Sequence, residues 1–158
     1  MTRVFARSRK GDRAVDYAPQ GHWNTTTLVA AITWESAIAP MVLDGPMDAV
    51  SFEAYVKHAL IPALPAGAIV VMDNLSAHKS PVIARLLGAV GVELRYLPPY
   101  SPDFNPIEQM WAKVKSFLRG AKARAQNELR SGIAKALAGI TPSDTRGFFC
   151  HCGVGIIS

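Results

Sequence analysis

Apolar positions in this chain follow two different periods, and the places where the period changes mark its elements. Residues Asn24 to Trp34 (NTTTLVAAITW) and Ala37 to Asp44 (AIAPMVLD) are short β-branched and apolar runs separated by Glu35-Ser36, a pattern that predicts two antiparallel strands joined by a tight turn. Gly45-Pro46 ends the second strand. Asp48 or Ser51 can then cap a helix whose Phe52, Tyr55, Val56, Ala59 and Leu60 share one face, and which stops near Pro62. After the Pro65-Ala66-Gly67 turn, Ala68 to Asp73 is an uninterrupted apolar run ending in an acid, as expected of a strand buried on both faces. Ser80-Pro81 opens a helix with Val82, Ile83, Leu86, Leu87 and Val90 on its apolar face and Gly91 as its stop, and Val92 to Leu97 returns as a strand. The stiff Pro98-Pro99-Tyr100-Ser101-Pro102 connector leads into a further helix. There Asn105 is the cap, Pro106 lies in the first turn, and Ile107, Met110, Trp111, Val114 and Leu118 form the core stripe. An amphipathic segment from Leu129 to Ile140 and a Thr141-Pro142 start leading to Phe148-Phe149 complete the chain.

This order of strands and helices predicts an α/β fold with a mixed sheet and covering helices, and the length fits a single domain over residues 1–158. No glycine-rich phosphate loop follows any strand, which argues against a nucleotide-binding fold. A hydrophobic content of 49% and a mean hydropathy of +0.15 exclude a disordered chain, although the basic stretch Met1 to Arg13 is expected to fray. No apolar run approaches the ~18–20 residues that cross a bilayer, and the N-terminus lacks the apolar centre of a signal peptide. A cytoplasmic protein with no membrane partner is the expectation. Cys150 and Cys152 are too close in sequence for good mutual disulfide geometry, which matches a reducing compartment, and with His151 between them they are poorly placed to converge on a metal ion.

A net charge of +5 favours a polyanionic partner. Its distribution is more informative: Lys113, Lys115, Arg119, Lys122, Arg124 and Arg130 crowd one segment against a single acid, Glu128. Two carboxylates are candidates for chemistry. Asp73 ends an apolar strand, and in open α/β sheets ligands bind beyond the carboxyl ends of the strands; the alternative is an ordinary turn or capping aspartate. Asn74 and His78 follow it closely. Glu108 stands three residues after Asn105, where it reads equally as part of a capping box. The helical period nevertheless puts Glu108, Ala112, Lys115 and Arg119 on a face distinct from the apolar stripe, so an acid shares that face with two cations. This suits a metal-binding acid beside phosphate-holding cations, and also a solvated face with intrahelical pairs.

Val70-Val71-Met72-Asp73-Asn74 with His78-Lys79, followed by Tyr96-Leu97-Pro98-Pro99-Tyr100-Ser101-Pro102-Asp103-Phe104-Asn105-Pro106-Ile107-Glu108-Gln109, resembles the catalytic core of the mariner-like bacterial insertion-sequence transposases of the Asp-Asp-Glu (DDE) type. The 34 residues between Asp73 and Glu108 match the interval between that family's second and third catalytic acids, and the similarity runs from Arg3 through Gly153. The resemblance implies an RNase H-like fold, a mixed sheet flanked by helices. It also implies a divalent-metal phosphoryl transferase that nicks DNA at element ends and joins the freed 3′ hydroxyl to a target. Asp73 and Glu108 would hold a pair of Mg2+ (or Mn2+) ions, with Lys79, Lys115 and Arg119 on DNA phosphates. Asn74, His78 and Asn105 would support the site, His78 being equally readable as a neutral structural histidine. A homodimer acting on DNA at the bacterial nucleoid is implied for the complete enzyme.

The sequence departs from the family at its start. The first catalytic Asp is expected at the end of an apolar strand upstream of a turn resembling Lys10-Gly11-Asp12-Arg13, but Met1 to Lys10 contains no Asp or Glu. The central first strand of the sheet is therefore expected to be missing, as is the N-terminal helix-turn-helix region. Asp44 is a poor substitute, because in the family's strand order it lies about 14 Å from the Asp73 strand at ~4.8 Å per spacing. Three functional expectations follow: a transposase core inactive until joined to an upstream part, including the upstream half of a split reading frame; a catalytically silent remnant that binds DNA non-specifically or dimerises; or an unrelated nuclease on the same fold, which the proline-rich connector and the acid spacing favour least.

Overall fold

The computed structural model describes residues 7–13, 15, 25–99, 101–122 and 125–154. The expectations that fell on Met1–Ala6, Asn24, Tyr100 and Arg124 lie outside these residues. The β-branched runs form the predicted hairpin, with β1 (Thr26–Ile32) antiparallel to β2 (Ala37–Asp44). Its four-residue turn is closed by the Thr33 N–H donating to the Ser36 carbonyl at 2.8 Å, and the Thr33 hydroxyl oxygen accepts from the Glu35 and Ser36 amides. The ladder slips by one residue between Val29 and Ala31, where Ala39 adopts a φ of 49° beside Pro40. Proline has no amide to give the ladder, so a bulge at the exposed Pro40 lets the strand continue past it.

Asp48 caps α1 (Ala49–Tyr55), its Oδ1 accepting from the Ser51 amide at 2.7 Å; that bond holds the Asp48 carboxyl below the usual range. The helix then widens into a π turn (Val56–Leu60) before the short α2 (Ile61–Ala63), with the Ile61 amide reaching back to the Val56 carbonyl. Pro62 accounts for this: it has no amide for an ordinary helical bond, and its ring crowds the carbonyl four residues earlier. β3 (Ile69–Met72) follows, then a 3-10 turn (Ser76–Lys79) and α3 (Pro81–Ala89), whose Ser80 cap accepts from the Val82 amide. Gly91, with a φ of 72°, reverses the chain into β4 (Glu93–Tyr96), which pairs parallel to β3. A second 3-10 turn (Pro102–Phe104) opens onto α4 (Pro106–Ala121), followed by α5 (Gln126–Ala138) and α6 (Pro142–His151).

Among the described residues the expected mixed sheet is present as two separate two-stranded pieces, one antiparallel (β1–β2) and one parallel (β3–β4). β3 also departs from its expected burial. Val70 and Met72 face the core, but Ile69 and Val71 remain 52% and 56% exposed, because no described element covers the second face of this strand.

The chain divides into two compact units. One comprises Asn24–Met110 and Ile140–Ser158. Its core is Phe52, Tyr55, Val56 and Leu60 from the α1–π segment with Met72, Ile83, Leu87 and Val92. Val29, Ala31, Ala39 and Met41 of the hairpin and Val70 and Leu94 of the parallel pair pack against that same cluster, so both sheets lie on one helical layer. Full burial of side chains such as Ile83 and Leu87 stabilises by roughly 1.5–3 kcal/mol each. Val90, expected on the apolar face of α3, is the C-cap and lies 48% exposed. In α6 the Thr145 hydroxyl donates to the Trp34 carbonyl at 2.6 Å, and Phe149 stacks on Trp34 with ring centroids 4.5 Å apart, which ties the hairpin turn to this helix. The other unit contains Trp111–Gly139. There Val114, Leu118, Ile133 and Ala136 are buried, and a β-carbon at Gly132 would lie 3.0 Å from a Leu118 methyl, so α4 and α5 approach closely at a glycine.

Candidate active site at the carboxyl ends of β3 and β4

The parallel pairing of β3 and β4 brings their carboxyl ends together. Met72 and Tyr96 are register partners, and the Leu97 amide donates to the Met72 carbonyl at 2.8 Å. Asp73 leaves the ladder immediately after that last bond. The chain leaving β4 runs through the proline connector to α4, where Glu108 lies in the first turn. Asp73 therefore lies at the carboxyl end of a parallel strand, the side of an α/β sheet where ligands bind, and Glu108 opens the first α-helix after the neighbouring strand.

The Asp73 side chain is part-buried, and its Oδ1 has two neighbours. The Leu75 amide donates to it at 3.1 Å, an Asx turn that realises the structural alternative for this residue. His78 Nδ1 lies 2.7 Å from the same oxygen. Its angles are not those of a hydrogen bond, and Nδ1 is buried with no hydrogen-bond partner among the described residues, so this is a close approach without a hydrogen bond. The His78 ring stacks on Phe52, centroids 4.2 Å apart, and its backbone carbonyl accepts from the Tyr96 hydroxyl at 2.8 Å.

Glu108 is exposed at the amino end of α4, where the helix dipole favours a negative charge. The capping-box alternative is not what forms. The Asn105 amide donates to the Pro102 carbonyl and the Glu108 amide to the Asn105 carbonyl, while the Glu108 carboxylate has no hydrogen bond or ion pair among the described residues. Asn74 is part-buried just after Asp73, and Lys79 is exposed at the end of the 3-10 turn. Lys115 is exposed and Arg119 part-exposed on α4, and neither has an ion pair among the described residues. Phe52, Tyr96 and the Leu75 amide were not singled out by sequence. Phe52 reads simply as core, and nothing in a strand sequence says that Tyr96 reaches back 18 residues to His78.

Among the described residues no three His, Cys, Asp or Glu side chains group as a metal site. This includes Cys150, His151 and Cys152: Cys150 is exposed and Cys152 buried, burial followed by Asp103 pushing the Cys152 thiol up. Carboxylates such as those of Asp73 and Glu108 are nonetheless the donor type a hard cation takes, since magnesium is commonly bound by one or two carboxylates together with water and substrate phosphate.

The sequence profile of the DDE superfamily endonucleases matches residues 1–130. The chain belongs to that family. Among curated proteins it is 28% identical over 123 residues to the transposable element Tcb1 transposase of Caenorhabditis briggsae, covering 71% of this chain and 45% of that protein. To the Tcb2 transposase of the same organism it is 29% identical over 90 residues, covering 54% and 33%. The chain thus spans less than half the length of these relatives. Its fold matches the Mos1 strand transfer complex with a TM-score of 0.77 at 16% identity, over 96% of this chain and 47% of that one. It also matches the catalytic domain of Mos1 mariner transposase with a TM-score of 0.65 at 14% identity, over 80% and 68%. The DDE endonuclease domain accordingly has the RNase H-like α/β fold of the mariner transposases. No helix among the described residues is long and apolar enough to cross a membrane.

Proposed function

We propose that this DDE domain is the phosphoryl-transfer core of a DNA transposase, in which Asp73 and Glu108 together hold divalent magnesium or manganese during strand cleavage and joining at element ends. The observations that support the reading are that Asp73 leaves β3 at its carboxyl end, that Glu108 opens the helix following the paired strand β4, and that the family match spans both acids. The relatives named as transposases and the Mos1 paired end complex with Mn support it. A bound divalent ion supplies charge stabilisation at the phosphate and activation of the attacking oxygen.

The residues of the chain then have distinct roles. Asp73 and Glu108 contribute hard oxygen donors, and Asn74 and Asn105, close to them in the chain, support the site. Lys79, Lys115 and Arg119 hold DNA phosphates as sequence-independent contacts, which position the strand without reading it. DDE chemistry takes a third acid, and the described residues offer only two in this arrangement. We therefore infer that the remaining ligand comes from outside the described residues, that without it the chain does not cut or join DNA, and that the upstream half of a split transposase within a homodimer is a source able to supply it.

The test is nicking of element-end DNA by the purified chain with Mg2+ or Mn2+, alone and with the upstream part supplied. No nicking alone and metal-dependent nicking on completion, abolished by Asp73→Ala or Glu108→Ala, is the expected pattern. Nicking by the chain alone that is lost in Asp73→Ala would place a third ligand within it and overturn the two-acid account.

A further inference from the structure

We propose that His78 is a positioning residue that pins one oxygen of the Asp73 carboxylate, so that the other, Oδ2, is the one offered to the divalent ion. The inference rests on the reading of Asp73 as a metal ligand and specifies how that ligand is aimed.

Both contacts to the Asp73 side chain fall on Oδ1: the Leu75 amide at 3.1 Å and His78 Nδ1 at 2.7 Å. Among the described residues Oδ2 has neither a hydrogen bond nor an ion pair. The Leu75 amide alone leaves the carboxylate free to rock about a single hydrogen bond. A second group in close contact with the same oxygen restricts that freedom.

His78 can serve as such a group because it is itself immobilised. Its ring lies against Phe52, which is 4% exposed and belongs to the core. Its amide donates to the Leu75 carbonyl at 3.1 Å, and its carbonyl accepts from the Tyr96 hydroxyl on β4. The core thus fixes the ring, and the ring fixes the carboxylate. A surface histidine with only a backbone tether would lose the same contact to rotamer freedom. Groups that orient a metal ligand in this way typically change metal affinity 10–100-fold when removed.

Mn2+ binding measured by electron paramagnetic resonance titration of the chain tests the proposal without recourse to catalysis. The variants are Asp73→Asn, His78→Phe, which keeps a ring on Phe52 but removes Nδ1, and His78→Asn, whose amide nitrogen replaces it. Thermal unfolding verifies that each is folded, and His78→Leu replaces His78→Phe if the phenyl ring does not pack. The expected result is loss of Mn2+ binding in Asp73→Asn, weakening of about 10-fold or more in His78→Phe, and recovery of most of the affinity in His78→Asn. A purely structural histidine would change stability and leave the affinity of the folded protein unchanged. Binding lost in Asp73→Asn but unchanged in His78→Phe overturns the positioning role and leaves the metal site standing. Binding unchanged in Asp73→Asn overturns the ligand reading itself, and this inference with it.

Discussion

Removing a single oxygen from the core should make this protein more stable. Tyr55 closes α1 with 2% of its surface exposed, its ring 5.7 Å from that of Phe52, and its buried hydroxyl has no hydrogen-bond partner among the described residues. Burying a hydroxyl without a partner costs about 1–3 kcal/mol on the scale of protein mutations. Tyr55→Phe removes that cost and leaves a void of one oxygen atom, so a net gain of roughly 0.5–2 kcal/mol is expected. In urea unfolding the midpoint should rise with an unchanged slope, since the same surface is exposed in both proteins.

The pH dependence provides a second, independent reading of the same group. Burial pushes the Tyr55 phenol up from its ordinary value of 10.0. Above that pH the unfolded chain releases the Tyr55 proton while the folded protein retains it, so the folded state binds more protons and stability falls as pH rises. The slope from one such group approaches about 1.4 kcal/mol per pH unit. The advantage of Tyr55→Phe should therefore widen above pH 10.0 and stay constant below it. A variant less stable than the parent by more than about 1 kcal/mol would mean that the hydroxyl has a partner, and one with the same alkaline loss that burial does not raise the phenol; either would refute the reasoning.

Two further outcomes are expected. Thr145→Val strips the Trp34 carbonyl of the hydroxyl that donates to it from 111 residues away, and should cost about 1–3 kcal/mol; a loss below a few tenths of a kcal/mol, measured by denaturant unfolding followed by tryptophan emission, would show that this bond does not hold the hairpin turn. DNA binding should be sequence-independent and steeply salt-sensitive, with Lys115→Ala and Arg119→Ala each lowering the slope of log affinity against log salt by about 1; unchanged slopes would remove these cations from the phosphate contacts.

Local signals carried most of the secondary structure. The bounds of β2 at Ala37–Asp44, the start of α3 at Pro81 behind a Ser80 cap and the start of α4 at Pro106 follow from proline, cap chemistry and apolar period, all of which act within a few residues. The stripe of α4 was legible too: Met110, Val114 and Leu118 are buried, because a helix fixes which side chains share a face before it packs on anything. Asp73 and Glu108 stood out for the same reason, one ending an apolar run and one opening a helix.

Sequence did not determine what meets across the chain. The apolar run of β3 predicts two buried faces, yet Val71 is exposed: hydrophobicity states what a strand can bury, and only its neighbours decide what it does bury. The parallel pairing with β4, the split into two small sheets and the division into two units depend on contacts between segments far apart in sequence, which no local period encodes. The surroundings of the candidate site belong to that second class. That His78 faces Asp73 is a short-range event within one turn, but its immobilisation draws on Phe52 from α1 and Tyr96 from β4, which only the packed core brings to the same ring.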